Sequence, residues 1–437
     1  MMVGETVSAL DEKPGFMSAN HEVVITGVGV ASPLGFGLDE FRTALAQQES
    51  VLAPLSIVDT TYLAMPFGAE LKDFEPKEYV TPRKSLKVMS RDIQTAYAAT
   101  VIAMQNAGLE KGSVPPERLG VVFGSDMIYS PASELETVFR KCIEAGEYQH
   151  DRWGEEAMSN IYPLWMLKYL PNFPACHVGI VYDARGPNNS ITMGDASSLL
   201  AFSEAISCIQ RGMADVMLTG GTGTRLSLVS LMMYGKQQIS QRKNDPQHAS
   251  RPFDADRDGA CYGEGAGVFV IESRESAVAR GAKIYARIAG CGQSYEDRRF
   301  DSSGSGDGYR RAISKALAAA NLEPADIGHV NAHGESTTHG DASEAQAIRD
   351  CLGDVPVTGL KSYFGNLGAG SGAVELIGSI LALESGEVTP TLNYETADPN
   401  CPINVVHKAP QKVESPIALA LNQSRSGQTA AIILAAP

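Results

Sequence analysis

Short apolar runs bounded by glycine and proline alternate with helical patterns along the whole chain. Apolar runs of this kind predict buried strands, and apolar residues at helical spacing predict amphipathic helices. The predicted strands cover residues 23–26, 119–123, 190–192, 215–218, 267–271, 285–290, 329–331, 416–421 and 430–434. The predicted helices cover residues 38–47, 90–106, 196–211, 308–320, 341–352 and 373–383. This alternation favours an α/β protein with largely parallel, buried sheets.

A charged, helical-looking stretch at 273–282 lies between two predicted strands and divides the chain into two strand-rich parts. The two parts have comparable patterns, which indicates a duplicated core rather than two unrelated domains. We therefore predict an N-terminal half over residues 22–272 and a C-terminal half over residues 273–437. Residues 1–21 carry no apolar block and are predicted to form a flexible tail, not a secretory signal.

The composition is that of a folded globular protein, with 43% hydrophobic and 20% charged residues. No apolar run reaches the length that a transmembrane helix needs, so we predict no membrane partner. Lys and Arg number 36 against 51 Asp and Glu, and the net charge of −15 argues against nucleic acid as a partner. The 7 cysteines are scattered without a CxxC pair, which predicts reduced thiols and a cytoplasmic location.

Two short motifs point to cofactors, but each lacks an essential residue. Gly27 and Gly29 follow a predicted strand as in a dinucleotide-binding fingerprint, but Ser32 occupies the third glycine position. The segment from Asp254 begins like a calcium-binding EF-hand loop, but Gly265 stands where that loop needs a bidentate glutamate. The histidines and cysteines show no metal-ligand spacing. We predict no cofactor and no metal.

Seven segments in order along the chain carry a resemblance to one enzyme family. They are VVITGVGVASPLG (23–35), RGPNNSITMGDASS (185–198), ADVMLTGGTG (214–223), RPFDADRDGACYGEGAGVFVIE (251–272), NAHGESTTHGDASEAQAI (331–348), LKSYFGNLGAGSGAVELI (360–377) and PTLNYETADPNC (390–401). With them the chain resembles the β-ketoacyl-acyl-carrier-protein synthases, the condensing enzymes of fatty-acid and polyketide synthesis. The resemblance implies the thiolase-type fold, in which two similar α/β halves pack as five layers, αβαβα, usually in a dimer.

Enzymes of this family use a cysteine and two histidines, and this set is mostly missing here. The cysteine thiolate opens a helix and takes the acyl group as a thioester. Two imidazoles then support decarboxylation of a malonyl unit and stabilise the developing oxyanion. By the resemblance, Asp195 stands at the nucleophile position, His333 is the first histidine and Asn366 replaces the second. Lys361 is retained from the KSxxGH motif.

Supporting positions around the same pocket are partly kept. Asp341 and Glu344 of the GDxxE segment are retained. Of two hydroxyl residues that would contact a carrier's phosphopantetheine arm, the first is Glu335 and the second is Thr337. We also predict a buried ion pair between Lys361 and Glu344, which would explain their retention without activity.

The gating loop of the family, GFGGTN, reads SRSGQTA here. By the resemblance, Arg425 and Ser426 replace a flexible glycine and a gatekeeping phenylalanine at this gate beside the oxyanion site. Glu335 adds a second carboxylate to the pocket, and we predict that it is either solvated or paired with Arg425. Departures from the family therefore cluster in one pocket, while the scaffold motifs are intact.

Asp195 changes what the pocket can do. Its carboxyl has an ordinary pKa of about 3.9, and a helix dipole is expected to lower that pKa. Its attack on a thioester would give a mixed anhydride of higher energy, and its charge would oppose a malonyl carboxylate. Asp195 is also a favoured N-cap residue, so we predict that it caps the following helix, with a catalytic role as the alternative.

A basic stretch, TPRKSLKVMSR, stands out on an otherwise acidic chain. It carries Arg83, Lys84, Lys87 and Arg91. By the resemblance, basic residues near here dock the acidic acyl carrier protein, and the alternative is a solvated helix face.

Three hypotheses follow for the function. The first is a homologue that does not condense by itself and forms a heterodimer with an active ketosynthase, as chain-length-factor subunits do, with Met127, Ile128 and Tyr129 lining an acyl tunnel. The second is an enzyme of altered chemistry on carrier-bound acyl chains, with Asp195 as base and His333 as acid. The third is a non-catalytic homodimer that binds an acyl chain or an acyl carrier. Phosphopantetheine enters each of them only as part of a carrier substrate.

Overall fold

A computed structural model describes residues 22–61, 63–234, 238–297 and 304–437. The predicted tail 1–21 lies outside these residues. The described strands are β1 (Val23–Ser32), β2 (Gly35–Phe36), β3 (Ala53–Pro54), β4 (Phe67–Gly68), β5 (Leu119–Gly124), β6 (Ile143–Glu144), β7 (Glu147–Tyr148), β8 (Asn188–Ile191), β9 (Val216–Thr224), β10 (Glu264–Ser273), β11 (Ala286–Tyr295), β12 (His329–Asn331), β13 (Pro356–Thr358), β14 (Glu387–Val388), β15 (Asn404–Val405), β16 (Gln411–Lys412), β17 (Ile417–Gln423) and β18 (Gln428–Ala435).

The described helices include all six that the sequence pattern predicts. They are α1 (Leu38–Gln47), α2 (Arg91–Asn106), α3 (Ala132–Lys141), α4 (Trp153–Asn160), α5 (Phe173–Tyr182), α6 (Ser197–Gln210), α7 (Leu228–Tyr234), α8 (Arg274–Ala279), α9 (Asp307–Ala320), α10 (Thr338–Leu352), α11 (Lys361–Phe364) and α12 (Ser371–Ser385). Among the described residues, no helix combines the length and apolar content that crossing a bilayer requires.

The strand order shows that the two halves repeat one topology. The N-terminal half runs β1-β10-β9-β5-β8, and the C-terminal half runs β11-β18-β17-β12-β13. In each half the first two pairings are antiparallel and the next two are parallel. An antiparallel pairing of β1 with β11 joins the halves. The core is therefore a duplicated unit, and β10, the last strand of the first unit, ends at Ser273.

The prediction of largely parallel sheets is wrong. β1, β10 and β9 pair antiparallel, and so do β11, β18 and β17. The short turn between β17 and β18 allows only this arrangement, because a parallel connection needs a crossover of a dozen or more residues. Parallel pairing is confined to the outer strands of each half.

The helices form three layers around these strands. α2 and α5 cover one half, while α9 packs on the strands of the other half and α10 packs on α9. α6 and α12 lie between the halves and contact strands of both. The first twelve residues of α12 are all buried, as expected of a helix with protein on every side. The described layers are those of the five-layer αβαβα arrangement.

A glycine in β9 brings the two central helices together. A Cβ atom at Gly221 would lie 2.4 Å from the carbonyl oxygen of Ala369 and 2.7 Å from Cβ of Ser198. Ser198 belongs to the first turn of α6, and Ala369 lies just before α12. Because glycine has no side chain, both helix N-termini reach the same strand. This approach places Asp195, just before α6, beside the loop that precedes α12.

Candidate functional site

Asp195 lies in the turn Gly194–Ala196 that leads into α6, and it is 6% exposed. Its Oδ1 is 2.9 Å from Nη2 of Arg225, the residue after β9. No side-chain cap is made at the start of α6; instead, Oγ of Ser197 accepts the backbone N–H of Met193 at 2.8 Å. The N-cap prediction is therefore wrong, because a buried guanidinium takes the carboxylate.

Arg225 joins Asp195 to a second carboxylate. Its Nη2 is also 2.9 Å from Oδ2 of Asp126, and its side chain is 7% exposed. Burial acts to raise the pKa of Asp195, but Arg225, His333 and Lys361 outweigh it and the pKa is lowered. Asp195 is therefore ionised, as the sequence predicts, but the main cause is a salt bridge rather than the helix dipole. Burial raises the pKa of Asp126, against the opposing effect of Arg225.

His333 follows β12 and is oriented by Lys361. Nζ of Lys361 donates to the carbonyl oxygen of His333 at 2.6 Å and lies 3.2 Å from its Nδ1. An ammonium group can only donate, so Nδ1 accepts and the neutral imidazole carries its proton on Nε2. That nitrogen lies 4.0 Å from Oε2 of Glu335. His333, predicted to be the first histidine of the family set, is thus held in a definite orientation, facing a carboxyl group.

The predicted ion pair between Lys361 and Glu344 is wrong. Nζ of Lys361 lies 2.5 Å from Oε1 of Glu375 on α12. Glu344, on α10, instead accepts the backbone N–H groups of His333 at 2.7 Å and Gly334 at 2.8 Å. Burial raises the pKa of Glu344 to about 8. Glu344 therefore holds the loop after β12, while Glu375 neutralises the lysine.

Asn366 is bound on both sides of its amide. Nδ2 donates to Oε1 of Glu335 at 2.8 Å, and Oδ1 accepts the backbone N–H of Gly368 at 2.7 Å. Glu335 was predicted to be solvated or paired with Arg425. In the described contacts its hydrogen bond comes from Asn366 instead. Burial and the charge of Asp195 raise the pKa of Glu335 to about 7.

Two adjoining cavities gather the predicted site residues. The first has a volume of about 470 Å³, and its wall includes Asp195, Arg225, Glu335, Asn366, Arg425 and Ser426. The second has a volume of about 450 Å³, and its wall includes His333, Glu335, Thr337, Asp341 and Arg425. Glu335, Ser424 and Arg425 belong to both walls. The positions predicted for catalysis at Asp195, His333 and Asn366, those predicted for the pantetheine arm and the predicted gating loop therefore meet in one place.

Asp341 supports this place from α10. It accepts the backbone N–H groups of Phe253 at 2.8 Å and Thr337 at 3.2 Å, and it lies 3.8 Å from Arg257. Burial raises the pKa of Asp341 to about 6. Its contacts join the loop before β10 to the start of α10, so its role is in the scaffold.

The basic stretch divides into two kinds of residue. Arg83, Lys84 and Lys87 are exposed on the short turn Arg83–Val88. Arg91 instead turns inward: its Nε lies 2.5 Å from Oε2 of Glu264, whose side chain is 1% exposed. A docking surface here would therefore include Arg83, Lys84 and Lys87, but not Arg91.

Asp195, His333 and Glu335 are the one group among the described residues that could hold a metal ion. Their ligand atoms lie within 4.8 Å of one another. Two cations already face them, because Arg225 binds Asp195 and Lys361 lies 3.2 Å from Nδ1 of His333. The charge of the group fits an ion-pair network better than a metal centre, whose cation would have to displace these partners.

Sequence reasoning missed Arg225, Asp126 and Tyr262, all of which contact or line the site. A signal for Arg225 was present, since a charged residue follows directly after the glycine-rich buried strand TGGTGT. Nothing local shows which carboxylate it binds. Cys261 lies beside Tyr262, but burial raises the pKa of its thiol, which makes it a poor substitute nucleophile.

Two family models cover most of the chain. Residues 20–277 match "Beta-ketoacyl synthase, N-terminal domain" and residues 285–395 match "Beta-ketoacyl synthase, C-terminal domain". The chain belongs to the beta-ketoacyl synthase family. One relative, 3-oxoacyl-[acyl-carrier-protein] synthase 2 of Staphylococcus aureus (strain COL), is 31% identical over 422 residues, which are 95% of this chain and 99% of the relative. The protein of the same name from a Synechocystis species is 32% identical over 390 residues, 88% of this chain and 90% of its own.

Solved structures of beta-ketoacyl synthases agree with the described topology. The ishigamide ketosynthase/chain length factor gives a TM-score of 0.85 at 27% identity, covering 96% of this chain and 100% of that chain. A type II polyketide acyl-carrier protein in complex with its ketosynthase, bound to the hexaketide, gives 0.82 at 27% identity, covering 96% and 100%. The predicted thiolase-type fold is confirmed.

Proposed function

We propose that this beta-ketoacyl synthase homologue does not condense by itself and serves as the partner subunit that shapes the acyl tunnel of an active synthase. One observation carries the proposal. At the position where the family has its nucleophile, a buried Asp195 carboxylate is paired with Arg225 at 2.9 Å. A carboxylate is a weak nucleophile toward a thioester, and a guanidinium bound to it weakens it further.

The site also gives little support to the second step of condensation, decarboxylation of the malonyl unit. One of the two amide N–H groups of Asn366 is committed to Glu335 at 2.8 Å, so at most one remains for a developing oxyanion. Asp195 and Glu335 together bring two carboxyl groups into the cavity that would receive the malonyl carboxylate. Arg225 neutralises Asp195 and Arg425 lines the same wall, so charge alone does not exclude that carboxylate. Acyl transfer and decarboxylation are both disfavoured.

A large exposed surface supports a partner subunit. The segment between β5 and β8 carries exposed large apolar side chains at Met127, Phe139, Ile143, Met158, Met166 and Ile180. β8 ends the main sheet, so its outer edge has no described neighbour strand. Apolar surface and an open edge together favour burial against another chain. We assign this face to the partner, in line with the similar ketosynthase/chain length factor structure.

The deciding experiment compares the chain alone with the chain co-expressed with an active type II ketosynthase. We expect a stable heterodimer, and we expect no acyl adduct on this chain by intact mass after incubation with acyl- and malonyl-carrier proteins. Replacing Ile128 by Trp should shorten the polyketide or fatty acyl product of the heterodimer. A covalent acyl adduct or a lengthened chain from this protein alone would contradict the proposal, and a stable homodimer that ignores the synthase would favour the binding-protein hypothesis.

We also propose that an acyl carrier protein docks at Arg83, Lys84 and Lys87, which are exposed. Reversal of these three charges to Glu should weaken carrier binding by about tenfold or more at low salt, since surface attraction of this kind is screened by salt. Lys412→Glu, at an exposed lysine elsewhere, serves as the control. Equal binding by the triple variant and by the control would remove this surface from the proposal.

The location we propose is the cytoplasm. All seven cysteines are free thiols, and four of them are buried. Unpaired, dispersed thiols are typical of proteins that stay in a reducing compartment.

One observation favours a second function, hydrolysis or a related reaction of a carrier-bound acyl chain. Asp195, with its lowered pKa, is a poor base, but Glu335 has a pKa of about 7 and lies 4.0 Å from Nε2 of His333. A carboxyl group that titrates near neutrality beside an imidazole can move protons. If acyl-carrier thioesters are hydrolysed, Glu335→Gln should abolish the activity and Asp195→Asn should reduce it less.

A further inference from the structure

The face assigned to the partner subunit, the partner face, comprises the exposed apolar side chains between β5 and β8 and the outer edge of β8. It begins in the loop 125–131, which leads from β5 to α3. Met127 in this loop is 59% exposed, and Phe139 on α3 is 46% exposed. The position of the loop therefore decides where the first side chains of the partner face stand.

Two contacts hold the first residues of this loop in place. The backbone N–H of Ser125 donates to the carbonyl oxygen of Ile191 in β8 at 3.0 Å. Oδ2 of Asp126 lies 2.9 Å from Nη2 of Arg225, and its Oδ1 accepts the backbone N–H of Met127 at 2.8 Å. The carboxylate of Asp126 therefore links Arg225 to the backbone of the exposed methionine.

Arg225 is itself fixed from the side of the Asp195 cavity. Its backbone N–H donates to the carbonyl oxygen of Gly263 at 3.0 Å, and a Cβ atom at Gly368 would lie 2.9 Å from its Nε. The Nη2 that faces Asp126 is also 2.9 Å from Oδ1 of Asp195. The side chains of Arg225 and Asp195 are 7% and 8% exposed, so little water screens their attraction. Arg225 therefore takes its position from the turn that carries Asp195 and passes it to the loop.

We propose that Arg225 is a positioning residue of the partner face, and that Asp195 serves this face by anchoring Arg225. The inference rests on the proposed function, because it gives the Asp126–Arg225–Asp195 bridge a role in binding the active synthase. Through the bridge the synthase meets a loop that is already ordered. A loop that must be ordered on binding lowers the affinity by a factor of about 5–30 for each backbone residue that is fixed.

The test compares three forms of the full chain, each co-expressed with the active type II ketosynthase, by the dissociation constant of the heterodimer in a dilution series. Arg225→Met combined with Asp126→Asn and Asp195→Asn removes every charge of the bridge with little change in volume. We expect this charge-free variant to bind the synthase about tenfold more weakly, or less tightly still. Arg118→Met with Asp215→Asn, an ion pair with side chains 37% and 48% exposed, is the control and should bind like the unmodified chain.

Two readouts separate positioning from a general effect on stability. The charge-free variant leaves no unpaired charge buried, so it should keep most of the free energy of unfolding of the unmodified chain while the heterodimer weakens. Amide hydrogen exchange followed by mass spectrometry should become faster in the loop 125–131 and stay unchanged in β5 and β9. Faster exchange over the whole chain, with a matching loss in the free energy of unfolding, would overturn the positioning role.

Failure of this inference and failure of the proposed function give different results. A folded charge-free variant that binds the synthase as tightly as the unmodified chain would overturn the role of Arg225 and leave the partner-subunit function standing. The absence of any heterodimer with the unmodified chain would contradict the function itself.

Discussion

Arg225 is the residue whose loss the structure predicts most sharply. Arg225→Met removes the cation that lies 2.9 Å from both Asp126 and Asp195. Two carboxyl groups then remain buried without their main partner. Breaking a buried ion pair by removing one partner costs about 3–5 kcal/mol of the free energy of unfolding. Methionine keeps most of the side-chain volume, so the loss reports charge and not a cavity.

The loss in the free energy of unfolding caused by Arg225→Met should depend on pH, and the pKa shifts give the direction of that dependence. In the unmodified chain the pKa of Asp195 is lowered, so its contribution is present above the unfolded pKa of about 3.9 and is lost only as the pH falls through the lowered folded value. Without Arg225, burial raises the pKa of Asp126 further, and the pKa of Asp195 rises because only His333 and Lys361 still oppose the effect of its burial. The variant then loses stability as the pH rises through those raised values. The difference between the two proteins should be larger at about pH 8 than at about pH 5.

Urea unfolding followed by circular dichroism, at both pH values, measures this difference. The control is Arg118→Met, whose partner Asp215 is half exposed, and we expect a loss of about 0–1 kcal/mol there. Arg225→Met combined with Asp126→Asn and Asp195→Asn should recover most of the stability, because no unpaired charge remains buried. If Arg225→Met lowers the free energy of unfolding by less than about 1 kcal/mol, equally at both pH values, Arg225 is not in an ionised pairing with Asp126 and Asp195.

Three further outcomes follow from the site. Asp195→Cys with Asn366→His restores the family's residue types. No acyl adduct should appear by intact mass, because Arg225 still occupies the pocket. An adduct would show that Arg225 can be displaced. Glu335 has a pKa raised to about 7, so it withdraws stability as the pH rises from about 4.5 toward that value, and Glu335→Gln should flatten this part of the stability–pH profile. Lys361→Met strands the carboxylate of Glu375 and should cost about 3–5 kcal/mol in urea unfolding; a loss near zero would refute that ion pair.

Two of the helices that the sequence pattern missed, α3 and α4, are mostly exposed within the chain. Of the ten residues of α3, only Val138 is buried, and none of α4 is buried. These two helices bury little of themselves within the chain, although the apolar side chains of α3 do follow a helical period. The predicted helices α2, α6 and α12 instead bury most of their length. The missed segment is also the one that exposes apolar side chains for the proposed partner.

The sequence by itself determined the family and the repeated α/β plan, and it predicted the positions where the catalytic set has changed. Those features depend on local motifs and on short-range alternation of apolar and polar residues, which are visible in one dimension. The sequence predicted that Asp195 is ionised, but the cause of its lowered pKa, a buried pairing with Arg225, came only from the tertiary structure.

Only the tertiary structure decided which charges are paired. Asp195 binds Arg225, thirty residues away, and Lys361 binds Glu375 rather than Glu344. Each partner comes from a different strand or helix, and the choice depends on which elements the two halves bring within a few ångströms. Coulomb attraction in a buried site falls with distance and rises as water is excluded, so it is set by packing and not by position along the chain.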